Sequence, residues 1–300
     1  MTKRLPLFHK YSIKDIEHLS GIKAHTIRIW EQRYGILIPE RTDTNIRYYS
    51  DKELRYILNI SFLNQQGLKI SKIAKLSEAE IQREVISLST NKTDYESQIN
   101  ALVIAMIDLD EFAFETIFTN NIQRFGFENC VIQVLYPFLE KIGMLWITGS
   151  IRPTHEHFIS NLIRQKLIVN IDAHKKNLKP SAKKFLLFTP ENELHEISLL
   201  FQYYILKSRN HDVVYIGLNI PLHDIISVFH HEQPAYLVSS FSTSPTKDAL
   251  KKYIHTLSSN FEKTSIVLSG YQISKYVGAL PSNVVKFQTL QEFINFVDSL

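Results

Sequence analysis

The segment at residues 11–49, YSIKDIEHLSGIKAHTIRIWEQRYGILIPERTDTNIRYY, limits what the start of this chain can fold into. Ser12 is a good N-cap for a short helix, Gly21 suits the turn that follows, and a second helix is predicted over 24–34. A polar, basic loop then leads to a third helix that begins at Ser50. Two short helices joined by a glycine turn and followed by a basic loop predict a winged helix-turn-helix. That arrangement places its second helix in the major groove of duplex DNA.

Positive charge is concentrated in the same part of the chain. Residues 1–75 contain 14 Lys and Arg against 7 Asp and Glu, a net charge of +7, so the remainder carries −3. A basic excess is expected on a module that binds phosphates. The single cysteine, Cys130, excludes an intramolecular disulfide and a cysteine-based zinc site. We find neither a signal peptide nor an apolar stretch long enough to span a membrane, so a cytoplasmic protein without a membrane partner is expected.

The chain exceeds the usual size of one hydrophobic core and divides into three blocks. Residues 1–76 contain the predicted winged helix-turn-helix. Residues 77–178 open with a polar stretch, 77–98, which we interpret as containing a linker. The helical patterns that follow predict a four-helix bundle. They span Ile99–Leu109, Glu111–Phe125, Cys130–Leu145 and Glu156–His174.

Residues 179–300 alternate short apolar runs with helical segments. Five runs are candidate strands: KFLLFT, VVYIGL, AYLVSSF, SIVLSG and VVKFQ. Strands that alternate with helices predict a Rossmann-like, doubly wound parallel sheet. The predicted fold class is therefore multidomain, α and α/β. A ligand is expected at the carboxyl ends of the strands.

Candidate DNA contacts lie on the predicted second helix and in the loop after it. The helix residues that lie near one side and can read base edges are His25, Thr26, Arg28, Arg33 and Tyr34. The loop residues that can hold phosphates beside the groove are Arg41, Arg47 and Tyr49. Ile27 and Trp30 are expected to pack inward.

The stretch TIRIWEQRYGILIPERTDTNIRYYSDKEL resembles the DNA-binding domain of the MerR family, with an Arg-x-Trp-Glu-x-Arg-Tyr-Gly core, a Pro-x-Arg and an Arg-x-Tyr. The resemblance implies a dimer on double-stranded DNA with a palindromic operator, and structural roles for Trp30 and Glu31. The dimerisation coiled coil of that family is not evident after residue 76, so oligomerisation is expected to depend on the later blocks. A helical module that binds another protein is the alternative.

Two later motifs contain groups suited to a cofactor. WITGSIRPTHEHFIS places Trp146 before a Glu156–His157 pair. Taken alone this is a weak signal, because a bundle tryptophan is more often a core residue and such histidines are often solvated. TPENELHEISLL runs from the end of the first strand into a helix, which puts His195 at the ligand edge of the sheet. Glu193 can hold one imidazole nitrogen, orienting the ring and raising its basicity for a metal.

Together the two motifs resemble the cobalamin-binding module of light-dependent MerR-type regulators, the CarH/LitR group. The resemblance implies that adenosylcobalamin lies between a helical cap and the sheet. It implies that His195, in the loop Glu193-Leu-His195-Glu-Ile-Ser198, is the lower cobalt ligand. Trp146 would lie against the upper adenosyl group, flanked by Glu156 and His157. His157 would also be able to bind cobalt after light removes that group.

This chain departs from the family motifs at several small residues. Ser198 occupies the position at which the cobalt-binding loop of the family ends in glycine. Ser240-Phe-Ser242 occupies the position of the family's Ser-x-Leu motif, and Ser269-Gly270 occupies the position of its Gly-Gly pair. In the family these positions leave room for the nucleotide tail of the cofactor. The added hydroxymethyl groups matter because a packed domain leaves little spare volume.

The sequence therefore predicts a regulator rather than an enzyme: a repressor whose homodimer or homotetramer binds DNA under the control of adenosylcobalamin and light. One alternative is a cobalamin-independent regulator whose later blocks serve oligomerisation or bind a partner protein, as the serines would suggest. A second is a corrinoid carrier for methyl transfer, against which the DNA-binding module argues. A thiolate metal sensor does not fit a chain with one cysteine.

Overall fold

The computed structural model describes residues 10–42, 44–91, 95–147, 151–175, 177–245 and 247–300. The chain divides into two compact units, residues 1–159 and 160–300. Within the described ranges, no helix combines the length and the apolar character needed to cross a membrane.

The first unit begins with the predicted winged helix-turn-helix. Its elements are α1 (Ile13–Ser20), α2 (Ala24–Tyr34), β1 (Glu40–Arg41), β2 (Arg47–Tyr48), α3 (Asp51–Gln65) and α4 (Ile70–Ile73). Ser12 and Ser50 cap α1 and α3 through reciprocal capping boxes. Gly21 and Gly35 end α1 and α2 in the left-handed conformation, at φ of 71° and 65°, which glycine adopts without steric cost. The helix boundaries predicted from these caps are confirmed.

Hydrogen bonds between distant residues hold this module together. Tyr11 and Tyr49 exchange two backbone hydrogen bonds of 2.9 Å, which tie the start of α1 to the end of the wing. The hydroxyl of Ser61 in α3 donates to the carbonyl of Ser20 at 2.6 Å. Glu17 of α1 accepts a 3.0 Å bond from the backbone N–H of Ala24, so α1 caps the N-terminus of α2.

The other elements that the structure describes in the first unit are helices. They are α5 (Glu78–Asn91), α6 (Tyr95–Asp108), α7 (Glu111–Phe125), α8 (Phe127–Cys130), a π-helical turn (Val131–Leu135) and α9 (Tyr136–Ile147); α10 (Pro153–Ala173) starts here and continues into the second unit. The stretch interpreted as containing a linker is largely helical, which corrects that interpretation. Ser77 and Glu80 form a capping box, and the buried Ile81 and Val85 are spaced to lie on one helix face.

The second unit is built around a five-stranded sheet. Its elements are β3 (Lys184–Pro190), α11 (Ile197–Ser208), β4 (Asp212–Ile220), α12 (Leu222–Glu232), β5 (Tyr236–Ser240), α13 (Lys247–Asn260), β6 (Ser265–Ser269), α14 (Tyr271–Ser274), β7 (Val284–Lys286) and α15 (Leu290–Asp298). The strand order is β4-β3-β5-β6-β7, and every pairing is parallel. All five predicted strands are present.

Helices cover both faces of this sheet. Leu186 and Phe188 of β3 pack in a core cluster with residues of α12 and α13. The alternate side of β3 carries Phe185, whose ring stacks on Tyr236 of β5 with centroids 4.8 Å apart. Tyr236 in turn meets Phe296 of α15 edge to face at 5.5 Å. Because successive side chains of a strand point to opposite faces, this arrangement confirms the predicted doubly wound fold.

The strand order reverses beside β3. The chain passes from β3 to β4 on one side and then crosses to β5 on the other. The loops that follow β3 and β5 therefore start at the same edge and diverge, which opens a crevice of the kind in which ligands of such sheets bind.

Candidate functional site

The exposed side of α2 is the candidate surface for DNA. His25, Arg28 and Arg33 are exposed, whereas Thr26 and Tyr34 are partly buried. The guanidinium of Arg33 lies 5.5 Å from the centre of the Tyr34 ring. Ile27 is fully buried on the opposite side, and Trp30 is partly buried. Three of the five predicted groups are thus exposed on this helix, and contact of all five with DNA stays a prediction.

The wing places its three predicted contact residues differently. Arg41 is exposed, and its Nη1 donates to Asn45 Oδ1 at 2.6 Å. Arg47 is partly buried, with its Nε 3.8 Å from Glu31 Oε2. Contact of Arg41 and Arg47 with phosphate stays a prediction.

Tyr49 does not fit the predicted phosphate contact. Its side chain is fully buried, and its hydroxyl donates to Glu31 Oε1 at 2.5 Å. Burial and this hydrogen bond raise the pKa of the Tyr49 hydroxyl well above its ordinary value. Tyr49 therefore joins the wing to α2 through Glu31. The Glu31 side chain is only 8% exposed, which agrees with the structural role predicted for this residue.

The Trp146 motif lies at the end of α9 and the start of α10. Trp146 is 47% exposed, which is unusual for a large aromatic side chain in a helical bundle. His157 is largely exposed, and its Nδ1 lies 2.8 Å from Glu156 Oε2. Gly149 of the same motif lies outside the described residues.

Glu193 accepts hydrogen bonds on both of its carboxylate oxygens. It is fully buried in the loop after β3. Its Oε2 accepts the backbone N–H groups of Ser242, Thr243 and Ser244 at 2.8, 2.6 and 2.9 Å. Its Oε1 accepts the backbone N–H of His195 at 2.9 Å and lies 2.7 Å from the Nδ1 of the same residue. One carboxylate therefore joins the loops after β3 and β5.

These bonds fix the charge of Glu193 and the tautomer of His195. Burial alone would raise the pKa of Glu193, but hydrogen bonds from the His195 ring and from the backbone of Ser244, Thr243 and His195 outweigh it. They lower the pKa to about 2. A carboxylate beside Nδ1 requires the proton on that nitrogen, which leaves the lone pair of a neutral ring on Nε2. The imidazole of His195 is 58% exposed, and the Glu193 carboxylate fixes its orientation through Nδ1. Metal-binding histidines are commonly held by a carboxylate in this way.

Behind this loop lies a buried group of polar side chains. Ser240 and Ser269 are aligned partners at the ends of β5 and β6. Gln202 of α11 is 1% exposed, and its Nε2 donates to Ser269 Oγ at 2.9 Å. Within the described part of the chain, Gln202 Oε1 and Ser240 Oγ are buried without a hydrogen-bond partner, as is Ser239 Oγ. Buried polar atoms of this kind call for an explanation, and a ligand is one.

Gly270 follows directly and has no room for a side chain. A Cβ there would lie 2.5 Å from the carbonyl oxygen of Phe241, and φ is +96°. Of the other motif positions, Ser198 is half-buried in the first turn of α11, and Ser242 donates its backbone N–H to Glu193.

Sequence reasoning missed three contributors to this site. Thr243 and Ser244 act through backbone N–H groups, which no side-chain pattern reveals. Gln202 had a weak signal, because it follows Ser198 by four residues and so lies on the same face of α11.

Comparison with known proteins adds two family matches. The description "MerR HTH family regulatory protein" matches residues 11–80, and "B12 binding domain" matches residues 98–169. The HTH-type transcriptional repressor CarH of Myxococcus xanthus is 27% identical over 222 residues, which cover 72% of this chain and 73% of CarH. The repressor CarA of the same organism is 27% identical over 215 residues, which cover 70% of this chain and 68% of CarA.

Shorter and more distant similarities exist as well. The HTH-type transcriptional regulator MlrA of Escherichia coli is 34% identical over 70 residues, 23% of this chain and 29% of MlrA. Among solved structures, the monomethylamine corrinoid protein of Methanosarcina barkeri has 12% identity and a TM-score of 0.48, covering 72% of this chain and 97% of its own. A cobalamin-binding protein from Desulfitobacterium hafniense DCB-2 has 18% identity and a TM-score of 0.35, covering 69% and 97%.

Proposed function

Because this chain joins a MerR-type helix-turn-helix to a B12-binding domain and is homologous to the repressors CarH and CarA, we propose that adenosylcobalamin and light control its binding to an operator. The observation on which the proposal rests is the Glu193–His195 pair at the switch point of the sheet. Since both curated repressors align over most of their length, a repressor is favoured over a corrinoid carrier for methyl transfer.

The residues at the sheet edge fit a corrinoid. A neutral imidazole that presents Nε2 is a suitable cobalt ligand, and a buried carboxylate holds it in that tautomer. The unpartnered Ser240 Oγ and Gln202 Oε1 offer hydrogen bonds to a polar tail. Gly270 keeps the end of β6 against the backbone of Phe241, where a side chain would force the loop outward.

In this proposal each part of the chain has a separate task. His195 would hold the cobalt through Nε2, and Glu193 keeps the imidazole ring in place. Trp146, Glu156 and His157 are the candidates to contact the adenosyl group, since the 47% exposure of Trp146 leaves part of its ring open to a ligand. When bound, adenosylcobalamin supplies a cobalt–carbon bond that light can break. His157 would be the candidate to hold the cobalt once the adenosyl group is gone.

In this proposal, the affinity for the operator depends on several DNA-binding domains of one oligomer that bind together. We propose that the ligand-loaded protein assembles into a homodimer or homotetramer, so that several α2 helices engage a palindromic operator together. Linking several weak contacts raises the overall affinity by orders of magnitude without a new base contact. The cofactor must favour the assembled state over the free subunits, since a ligand with equal affinity for both would change nothing.

The experiment is an electrophoretic mobility assay on DNA from upstream of the protein's own gene. We expect the protein with adenosylcobalamin in the dark to shift the fragment at a concentration at least about tenfold lower than after green light. Arg28→Ala is the control for DNA contact: it should abolish the shift while the cofactor stays bound. An affinity for the fragment that light leaves unchanged would contradict control by light.

A further inference from the structure

The polar group between α11 and the ends of β5 and β6 is unusual for the interior of a parallel sheet domain. Gln202, Ser240 and Ser269 are each at most 7% exposed, and most other buried side chains on these strands are apolar. A single hydrogen bond, from Gln202 to Ser269, joins two of the three. The remaining polar atoms, Gln202 Oε1 and Ser240 Oγ, have no hydrogen-bond partner among the described residues.

This group continues the path that starts at His195. His195 lies just before the first turn of α11, and Ser198 lies within that turn. Gln202 is four residues further on and shares the helix face of Ser198. Because Gln202 reaches Ser269, that face points at the ends of the strands. A ligand held at His195 and extending along this face would meet Gln202 at its inner end.

The hydrogen-bonding capacity of Gln202 defines what it can bind. A glutamine amide has two N–H donors and one carbonyl acceptor. One donor is used by Ser269, which leaves one donor and the unpartnered Oε1 side by side. This pair matches an adenine edge, where an exocyclic amine donates and a ring nitrogen accepts.

We propose that Gln202, positioned by Ser269, determines which corrinoid this protein prefers: one whose nucleotide tail carries adenine rather than 5,6-dimethylbenzimidazole. The proposal rests on the proposed corrinoid function and refines it: adenosylcobalamin still binds, but more weakly than the form with adenine in its tail. A dimethylbenzimidazole has no N–H to offer Oε1, so it would leave that oxygen buried and unpaired. Sites built to hydrogen-bond a ligand discriminate strongly against an analogue that lacks the matching group.

Equilibrium binding to two corrinoids tests the proposal. The ligands are adenosylcobalamin and the adenosyl corrinoid that differs only in carrying adenine in its tail. Titration of the full chain in the dark, followed by absorption, should give a Kd at least about tenfold lower for the adenine form. Gln202→Leu, which keeps the side-chain size and removes both polar groups, should erase or reverse that preference.

Two further variants separate recognition from folding. Gln291→Leu removes an exposed glutamine of α15 and should keep the wild-type preference. Ser269→Gly frees the Gln202 amide and should reduce the preference without abolishing binding. Equal affinity of the wild-type protein for both corrinoids, or a preference that Gln202→Leu leaves intact, would overturn the proposed role of Gln202. Either result would leave the proposed cofactor in place. Failure of both corrinoids to bind would overturn the proposed cofactor together with it.

Discussion

Replacement of Glu193 by Ala is expected to lower the free energy of unfolding of the second unit by about 3 kcal/mol. The variant leaves the backbone N–H groups of Ser242, Thr243 and Ser244 without their acceptor and removes the group that orients His195. Urea denaturation followed by circular dichroism measures the loss. Glu191→Ala, an exposed carboxylate two residues earlier, is the matched control and should change stability little.

The Glu193 carboxylate is also expected to make the free energy of unfolding depend on pH. Its pKa lies near 4.5 in the unfolded chain and about 2 in the folded one, so folding favours the charged form. The stabilisation is therefore complete above pH 4.5 and is lost as pH falls towards 2. The shift corresponds to about 3 kcal/mol. Glu193→Gln removes the titrating group, so its stability should fall less than that of the wild type across this pH range. Equal acid sensitivity of the two proteins would contradict the assignment.

Replacement of Gly270 by Ala is expected to prevent the second unit from folding correctly, at a cost of more than about 3 kcal/mol. The new Cβ would lie 2.5 to 2.8 Å from the backbone of Phe241, which is itself held by β6 and α14 and cannot yield cheaply. Thermal denaturation of the purified protein measures the effect, and accumulation of insoluble protein on expression would be its extreme form.

Gly217→Ala separates steric conflict from backbone strain in that experiment. Gly217 has a φ of +109°, similar to Gly270, but its Cβ would meet only a ring atom of Tyr215 at 3.9 Å. This control should lose about 1–2 kcal/mol, because it has the unfavourable φ without the close contact. If the two alanine variants lost the same stability, the close approach of Gly270 to Phe241 would not be the reason for the glycine.

Much of the fold could be predicted because its signals are local. Ser12 and Ser50 as caps, and Gly35 as a stop, mark the ends of helices within a few residues of themselves. The helix at Glu78–Asn91 was not predicted because its exposed side is strongly polar. Among the residues of this helix whose burial is described, Ile81 and Val85 are the buried ones.

The candidate site could be predicted only in part, because its bonds join distant segments. Glu193 and His195 are close in sequence, and their pairing was expected. Thr243 lies 50 residues after Glu193 and contributes a backbone N–H, for which a sequence contains no pattern. For Tyr49 the sequence suggested a contact that the fold does not favour. Its hydroxyl is suited to bind phosphate, but in the folded chain it points inward and donates to Glu31.

The measurement that tests the central claim most directly is an absorption spectrum. The protein is mixed with adenosylcobalamin in the dark, desalted, and measured before and after green light. The proposal predicts that corrinoid stays with the protein, that light changes the spectrum, and that His195→Ala alters the spectrum of the bound form. If neither adenosylcobalamin nor its adenine-tailed counterpart stayed with the wild-type protein, the proposal would be contradicted, and a regulator of the same architecture that works without cobalamin would be favoured.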